Sequence, residues 1–517
     1  MQTVPRFLCR FAFVVAAFVA VPASASDAPL PIGEIDARMG AILKEWDQPG
    51  LAIALVTRDR VLHEKGFGVR DLRNKQPVDE RTMFGIASVS KSFASATVAK
   101  LVADGRMNWD DPVVKHLSWF AMPRDRDTTE VTLRDLLSMR SGFGSSEYTF
   151  RRASANRTDH VRRIRYLEQM HPLRSEFLYT TDSYTAIGEV VATVTGRPWE
   201  TVAAETLWKP IGMTRTNADH TAARADSNAA SPHITVDGRK QAIDWIYEDY
   251  NALPAGGVNS TAHDLGLWLQ FQLNNGSVNG QSVLSSKALL ETRVPHTPDR
   301  GRSPGRGAWS VAAGEGDDAF RHPAYAMGWF VHAYRGHDIV WHSGGIDGFR
   351  SLIGFLPDDD VGIVVLTNAD QSMLAMATFQ TLVDAALGRG VSDRWSQSFR
   401  RMALADADAA KKRRAELESG RLKGTKPSLP LDRYTGTFAD NGAFGETRVH
   451  VENGKLVIDA GRMQYELSHW QQDQFQAKPR WPYEMESRNF FVSFRLDPRG
   501  QIAGFDFSTG SVFKRLK

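Results

Sequence analysis

The chain has 517 residues, 42% of them apolar, with 63 basic against 60 acidic side chains and a single cysteine. At roughly 100–200 residues per domain, that length predicts at least two domains with cores of their own. The near balance of charge gives no electrostatic argument for a nucleic-acid partner or an anionic membrane surface, and one cysteine excludes a disulfide framework and cysteine metal sites.

The N-terminal residues read as a secretory signal. Arg6 and Arg10 supply a short positive region, Phe11–Val21 an apolar run, and Pro22-Ala23-Ser24-Ala25 a small-residue cleavage signal at the end of residues 1–25. The run is short for a bilayer span of about 20 residues. Cys9 precedes it, so it is not placed as a lipoprotein cysteine. The expectation is an exported (periplasmic or secreted) chain that starts near Ser26 or Asp27 and has no stable membrane anchor. Losing Arg6 and Arg10 takes the net charge from +3 to +1.

Leu51–Thr57 and Val61–Gly66 read as apolar strands around Arg58-Asp59-Arg60, a hairpin. Ser88–Ala103 is a helical pattern stopped at Gly105. Thr132 caps a second helix, with Leu133, Leu136 and Leu137 on one face. Asp182–Thr195 is a third, carrying Tyr184, Ile187, Val191 and Val194 at 3-4-3 spacing and ended by Gly196. A fourth opens at Ser260 and ends by Gly276. Arg350–Leu356 and Val361–Thr367 flank Pro357-Asp358-Asp359-Asp360, a second hairpin. Strands at both ends enclosing helices predict an α+β domain over 27–390, an antiparallel sheet with packed helices.

From 391 to 428 the character changes. Arg400, Arg401, Lys411, Lys412, Arg413 and Arg414 mix with acids and alanines, and Gly420–Pro430 supplies breakers, so a solvated helix and linker are expected. Over 429–517 the pattern is short strands, Thr447–Val451, Lys455–Asp459, Phe490–Leu496 and Ile502–Phe507, with turns at Asn453-Gly454 and Arg499-Gly500. A small all-β domain, a barrel or a curled sheet, follows.

Ser88-Val89-Ser90-Lys91 opens the first helix. Residues three apart share a helix face, so the Lys91 amine can reach the Ser88 hydroxyl. A serine is a poor nucleophile until a base takes its proton, and lysine serves only when burial or neighbouring charge lowers its pKa from about 10.4. The Ser88 N–H, at a helix start, can also point at a developing oxyanion. Alone the spacing is weak: Ser511-Val512-Phe513-Lys514 has it too. That second match lies in an alternating, strand-like tail, where such residues face opposite ways.

Context separates the two. Phe84–Lys91, Val131–Gly142 (ending Arg140-Ser141-Gly142), Phe177–Tyr184 and Trp341-His342-Ser343-Gly344-Gly345 follow in order, with Pro210–Met213 and Pro254-Ala255-Gly256-Gly257 between. This ordered set, over about residues 30–390, resembles the class C β-lactamase and D-alanyl-D-alanine carboxypeptidase (peptidase S12, penicillin-recognising) family of serine hydrolases. The resemblance implies a β-lactamase/transpeptidase-like fold and an acyl-enzyme on Ser88. It implies that Tyr179 shares the proton with Ser88 and Lys91 and delivers it to the leaving group. Thr181, His342, Ser343 and Gly344 would meet substrate, His342 and Ser343 at its carboxylate, and the Gly345 N–H would join that of Ser88 at the oxyanion. Thr181 stands where the family usually has Asn, so a substrate amide loses a carbonyl and an NH₂ partner. Leu431–Phe438 resembles the start of the lipocalin-like domain often appended to such hydrolases.

Read otherwise, Tyr179 is a core tyrosine, His342 a structural histidine and Gly344-Gly345 a turn. No H-E-x-x-H, P-loop or strand-borne G-x-G-x-x-G is present and the histidines are scattered, so no metal or cofactor is expected. The expected activity is hydrolysis of D-amino-acid or cell-wall-type peptides. Esterase, then β-lactamase, then a sensor that acylates without turnover are the alternatives.

Overall fold

A computed structural model describes residues 30–144, 156–236, 238–245, 251–299, 320–370, 372–460, 463–480, 490–508 and 510–516. The signal-like segment and its cleavage site lie outside these residues.

The first domain is built on one antiparallel sheet of eight strands. They are β1 (Gly50–Val56), β2 (Val61–Gly68), β3 (Thr297–Pro298), β4 (Phe320–Tyr325), β5 (Phe330–Tyr334), β6 (His337–Ile346), β7 (Phe349–Leu356) and β8 (Val361–Thr367). Their order is β2-β1-β8-β7-β6-β5-β4-β3. The N-terminal strand therefore closes on the last one, with Ile53 opposite Val365 and Leu55 opposite Ile363. Both strands are buried throughout, which is why they read as continuous apolar runs. Each fully buried Val, Leu or Ile there contributes roughly 1.5–3 kcal/mol.

Helices cover both faces. They are α1 (Ile32–Glu45), α2 (Ser90–Ala103), α3 (Leu133–Leu137), α4 (Arg157–Arg162), α5 (Thr181–Thr195), α6 (Ala262–Leu273), α7 (Ser372–Ala386) and α8 (Arg394–Ser419). Glycines let two of them approach closely: a Cβ on Gly354 would meet Phe379 of α7, and one on Gly362 would meet Leu269 of α6 on the opposite face. Two expected ends hold, while α6 begins at Ala262 behind a Thr261 cap rather than at Ser260. Thr132 and Asp135 form a reciprocal capping box at α3, and Gly196, left-handed at φ 71°, closes α5.

One boundary differs from expectation. Residue 391 does not begin a solvated linker, because α8 starts inside the core. Trp395 and Phe399 are buried, Trp395 Nε1 donates to Asp384 at 2.6 Å, and Trp46 Nε1 donates to Ser396 at 2.9 Å. Only from Arg400 onward is α8 mostly exposed.

Eight further strands form a closed barrel: β9 (Gly436–Ala439), β10 (Glu446–Glu452), β11 (Lys455–Ala460), β12 (Met463–Gln471), β13 (Gln474–Pro479), β14 (Phe490–Leu496), β15 (Ile502–Phe507) and β16 (Val512–Arg515). Closure removes the edges a small sheet would expose. Phe438, Phe475, Phe494, Phe505 and Phe513 fill its interior. The barrel docks on the first domain through the β9–β10 loop. The Asp440 carboxylate accepts the Gly442, Phe444 and Gly445 N–H groups, which rigidifies the loop. Arg163 Nη1, in the turn after α4, donates to the Ala443 and Phe444 carbonyls at 3.1 and 2.7 Å.

Candidate active site

The chain reaches Ser88 through a backbone turn. Ala87 holds a left-handed φ of 47°, a conformation that costs a non-glycine residue about 1–3 kcal/mol and that clusters at functional sites. A single 3₁₀ turn, Ala87–Val89, then leads into α2. Side chains of the same segment brace it. Ser90 Oγ donates to the Ala87 carbonyl and accepts the Val258 N–H, and Ile86 N–H is held by the Val258 carbonyl. Ser88 itself is half-buried.

Lys91 Nζ lies 3.0 Å from Ser88 Oγ and donates to the Ala255 carbonyl at 2.7 Å. The side chain is fully buried, an environment that disfavours the charged form of a lysine. Its amine sits 4.9 Å from the Tyr179 ring centre and 5.6 Å from that of Tyr184. The segment carrying Tyr179 is fastened from the neighbouring stretch: Leu178 N–H donates to the Met139 carbonyl, and Tyr184 Oη donates to the Leu137 carbonyl at 2.6 Å. Residues 131–142 thus act as scaffold. Thr181, almost buried, begins α5, and behind it Asp182 accepts from His160 Nε2 at 2.7 Å.

β6 forms the facing wall. A Cβ on Gly344 would fall 2.2 Å from the Ile86 carbonyl oxygen and 3.1 Å from Ala87 Cβ, so only glycine lets this strand rest on the turn that leads to Ser88. β5 pairs with β6 as far as Phe330↔Trp341, while β7 continues to Ile346↔Phe349. Ser343–Gly345 therefore runs past the end of β5, beside Ser88. Gly345 is exposed, and a Cβ there would lie 3.4 Å from the Arg350 guanidinium carbon.

The structure brings Ser88, Lys91, Tyr179 and His342 together, with Ser343, Gly344 and Gly345 on the strand that carries His342 and Thr181 two residues beyond Tyr179. His342 differs from the expected carboxylate-binding cation. It is 1% exposed, and burial, with the Lys91 charge beside it, pushes its pKa down to about 3. Its Nδ1 lies 2.6 Å from the Ser343 carbonyl and its Nε2 3.2 Å from Tyr325 Oη. Sequence reasoning missed three participants: Tyr325 and Tyr184, whose phenols burial pushes above their ordinary pKa, and the Ala255 carbonyl. Pro254–Gly257 had been a supporting match without a role. Ser511 and Lys514 flank and occupy β16 of the barrel, as the alternating pattern predicted.

The fold places the chain among serine hydrolases of the β-lactamase/transpeptidase type. A family profile described as Beta-lactamase matches residues 35–386, and the chain belongs to that family. A profile described as a domain of unknown function (DUF3471) matches residues 421–515. "Unguisins hydrolase ungD" of Aspergillus violaceofuscus is 26% identical over 460 residues, covering 84% of this chain and 79% of that protein. An octameric penicillin-binding protein homologue from Pyrococcus abyssi shares the fold at TM-score 0.63 and 18% identity, over 94% of this chain and 100% of its own. A D-stereospecific amidohydrolase from Streptomyces matches at TM-score 0.53 and 19% identity, over 66% of this chain and 97% of its own.

Proposed function

We propose that the protein is an exported amidohydrolase that cleaves D-amino-acid-containing peptides through an acyl-enzyme on Ser88. The observation that carries this reading is the 3.0 Å contact between Lys91 Nζ and Ser88 Oγ on a fully buried lysine. As Ser88 Oγ attacks the substrate carbonyl, Lys91 takes its proton. The carbonyl oxygen becomes an oxyanion received by the Ser88 and Gly345 N–H groups. Collapse expels the amine, which leaves with a proton delivered through Tyr179, and water then attacks the Ser88 ester to release the acid. The D-peptide class is supported by the likeness to a D-stereospecific amidohydrolase, and hydrolysis by the likeness to an enzyme named an unguisins hydrolase.

A second reading, ester hydrolysis, is favoured by Thr181. Its single hydroxyl replaces the amide that would hold a substrate amide, and an ester needs less of that hold. Purified protein offered D-peptides, p-nitrophenyl esters and a chromogenic cephalosporin, alongside Ser88→Ala, decides between them. Turnover of D-peptides lost in Ser88→Ala supports the proposal; turnover of esters alone supports the second reading.

A further inference from the structure

His342 stands where a charged side chain was expected to meet substrate, and its hydrogen bonds allow a definite assignment. The Ser343 carbonyl can only accept, so Nδ1, 2.6 Å away, carries a hydrogen. Nε2 faces Tyr325 Oη at 3.2 Å, and the phenol has one proton to give. If it gives it to Nε2, the ring is neutral. If it accepts instead, the ring is a buried cation. The groups that face His342 among the described residues decide between these. From α2 comes the Lys91 amine, which carries no negative charge in either protonation state and opposes a second cation when it is protonated; from the segment before α5 comes the Tyr179 ring at 6.2 Å; from β4 the Tyr325 ring at 6.0 Å; and from β5 the Phe330 ring at 5.3 Å. None of these is a carboxylate, and a buried cation needs one. Tyr325 therefore donates, and both ring nitrogens are committed.

His342 then has no N–H to offer a ligand. The neighbouring basic side chains among the described residues are engaged as well. Lys91 Nζ serves Ser88 Oγ and the Ala255 carbonyl, and Arg350 Nη1 donates to the Ile346 and Phe349 carbonyls of its own hairpin. A carboxylate brought to this wall would exchange water for a neutral ring and the Ser343 hydroxyl, and an ion desolvated without a partner is disfavoured.

We infer that Tyr325 and the Ser343 carbonyl lock His342 as a neutral imidazole, and that the cleft accordingly selects internal or capped amides over peptides whose leaving residue ends in a free carboxylate. This rests on the acyl-enzyme reading, which places the scissile carbonyl at Gly345 and the leaving residue along β6. It sets the protein apart from a carboxypeptidase while leaving its machinery the same.

The experiment compares two D-peptides that differ only in ending with a carboxylate or a carboxamide on the leaving residue. The carboxamide is expected to have the higher kcat/KM by about tenfold or more, with a ratio level from about pH 5 to about pH 8. His342→Lys is expected to shrink that ratio. A preference for the free carboxylate would overturn the inference, whether or not Arg350→Gln removes it, and so would a ratio that moves towards the carboxylate as pH falls through about 6.5. A second measurement is independent of turnover: ¹⁵N NMR of histidine-labelled protein, with His342 assigned by His342→Gln. A ring protonated on Nδ1 alone across the same range supports the inference, and one protonated on both nitrogens overturns it. If neither peptide is cleaved and Ser88 resists acylation, the proposed function fails, and the NMR result still decides this point.

Discussion

Gly344 rests directly on the carbonyl of Ile86: any β-carbon at position 344 would sit 2.2 Å from that oxygen. The strand that faces the cleft and the turn that aims Ser88 are thus held together by the absence of a side chain. Gly344→Ala must push them apart, and overpacking of this kind costs about 1–3 kcal/mol. The expected outcome is a lower Tm and slower acylation of Ser88 by a fluorophosphonate. Gly345→Ala is the contrast, since the nearest atoms to its Cβ would be those of the Arg350 side chain, from 3.4 Å. It should keep the parent Tm within about 0.5 kcal/mol of stability. Equal damage from both would show that β6 does not bear on the nucleophile through Gly344.

The nucleophile itself is tested by labelling. A fluorophosphonate should modify Ser88 and leave Ser511 untouched, because β16 gives Ser511 no lysine on its own face. Ser88→Ala should abolish labelling, and Lys91→Ala should slow it by the roughly 10²–10⁴-fold that a general base contributes. Labelling that survives Ser88→Ala would sink the assignment.

What could be read from the sequence, and what could not, follows from which interactions are local. Ser88 and Lys91 share one helix turn, so their spacing was enough. The hairpins beside Asp59 and Asp359, the Thr132 cap and the Gly196 stop are likewise decided within a few residues. Ala255 contributes a backbone carbonyl, which no residue type advertises. The charge state of His342 depends on Tyr325 and Lys91, which only the folded chain brings to it. Tyr325 ends β4, and nothing in the residues around it marks it apart from other buried aromatics. The misplaced boundary at 391 had a legible signal that the charged surroundings outweighed: Trp395 and Phe399 are four apart, one buried stripe at the start of an otherwise polar helix.

That stripe makes a prediction about truncation. A chain ended after Gly420 keeps Trp395, Ser396 and Phe399 in place and should fold and react with the fluorophosphonate. One ended after Gly390 removes the partner of the Trp46 indole, the Trp395 indole bonded to Asp384 and the buried Phe399, and should be insoluble. Native proteolysis should cut first between Arg400 and Lys426, where the chain is mostly exposed. Soluble, reactive protein from the shorter chain would place α8 outside the hydrolase core.

Export is tested at the N-terminus. Protein recovered from the periplasm or medium should begin near Ser26 or Asp27 and lack Arg6 and Arg10. A recovered chain that still carries both arginines would contradict cleavage.

The last prediction concerns acid. Among the described residues burial lowers the pKa of His233, of His220 and His296 to about 4, and of His332 and His342 to about 3, so these are neutral in the folded protein near pH 7. An unfolded histidine titrates near 6.5. Between those values the unfolded chain binds more protons than the folded one, so stability rises with pH there. The contribution is fully present above about pH 6.5 and is lost progressively as pH falls towards about 4. Depressed carboxylates such as Asp111, held at about 2 by Lys115 and backbone hydrogen bonds against the cost of burial, add their own loss only at lower pH. The Tm should therefore begin to drop below about pH 6.5, before carboxylates titrate. His332 is the sharpest place to check this, because its Nδ1 accepts from Trp341 Nε1 at 2.9 Å. His332→Asn keeps an acceptor for that indole and removes one titration, so the fall in Tm between about pH 6.5 and about pH 5 should be shallower than in the parent. An unchanged slope would mean that His332 is not held neutral by burial.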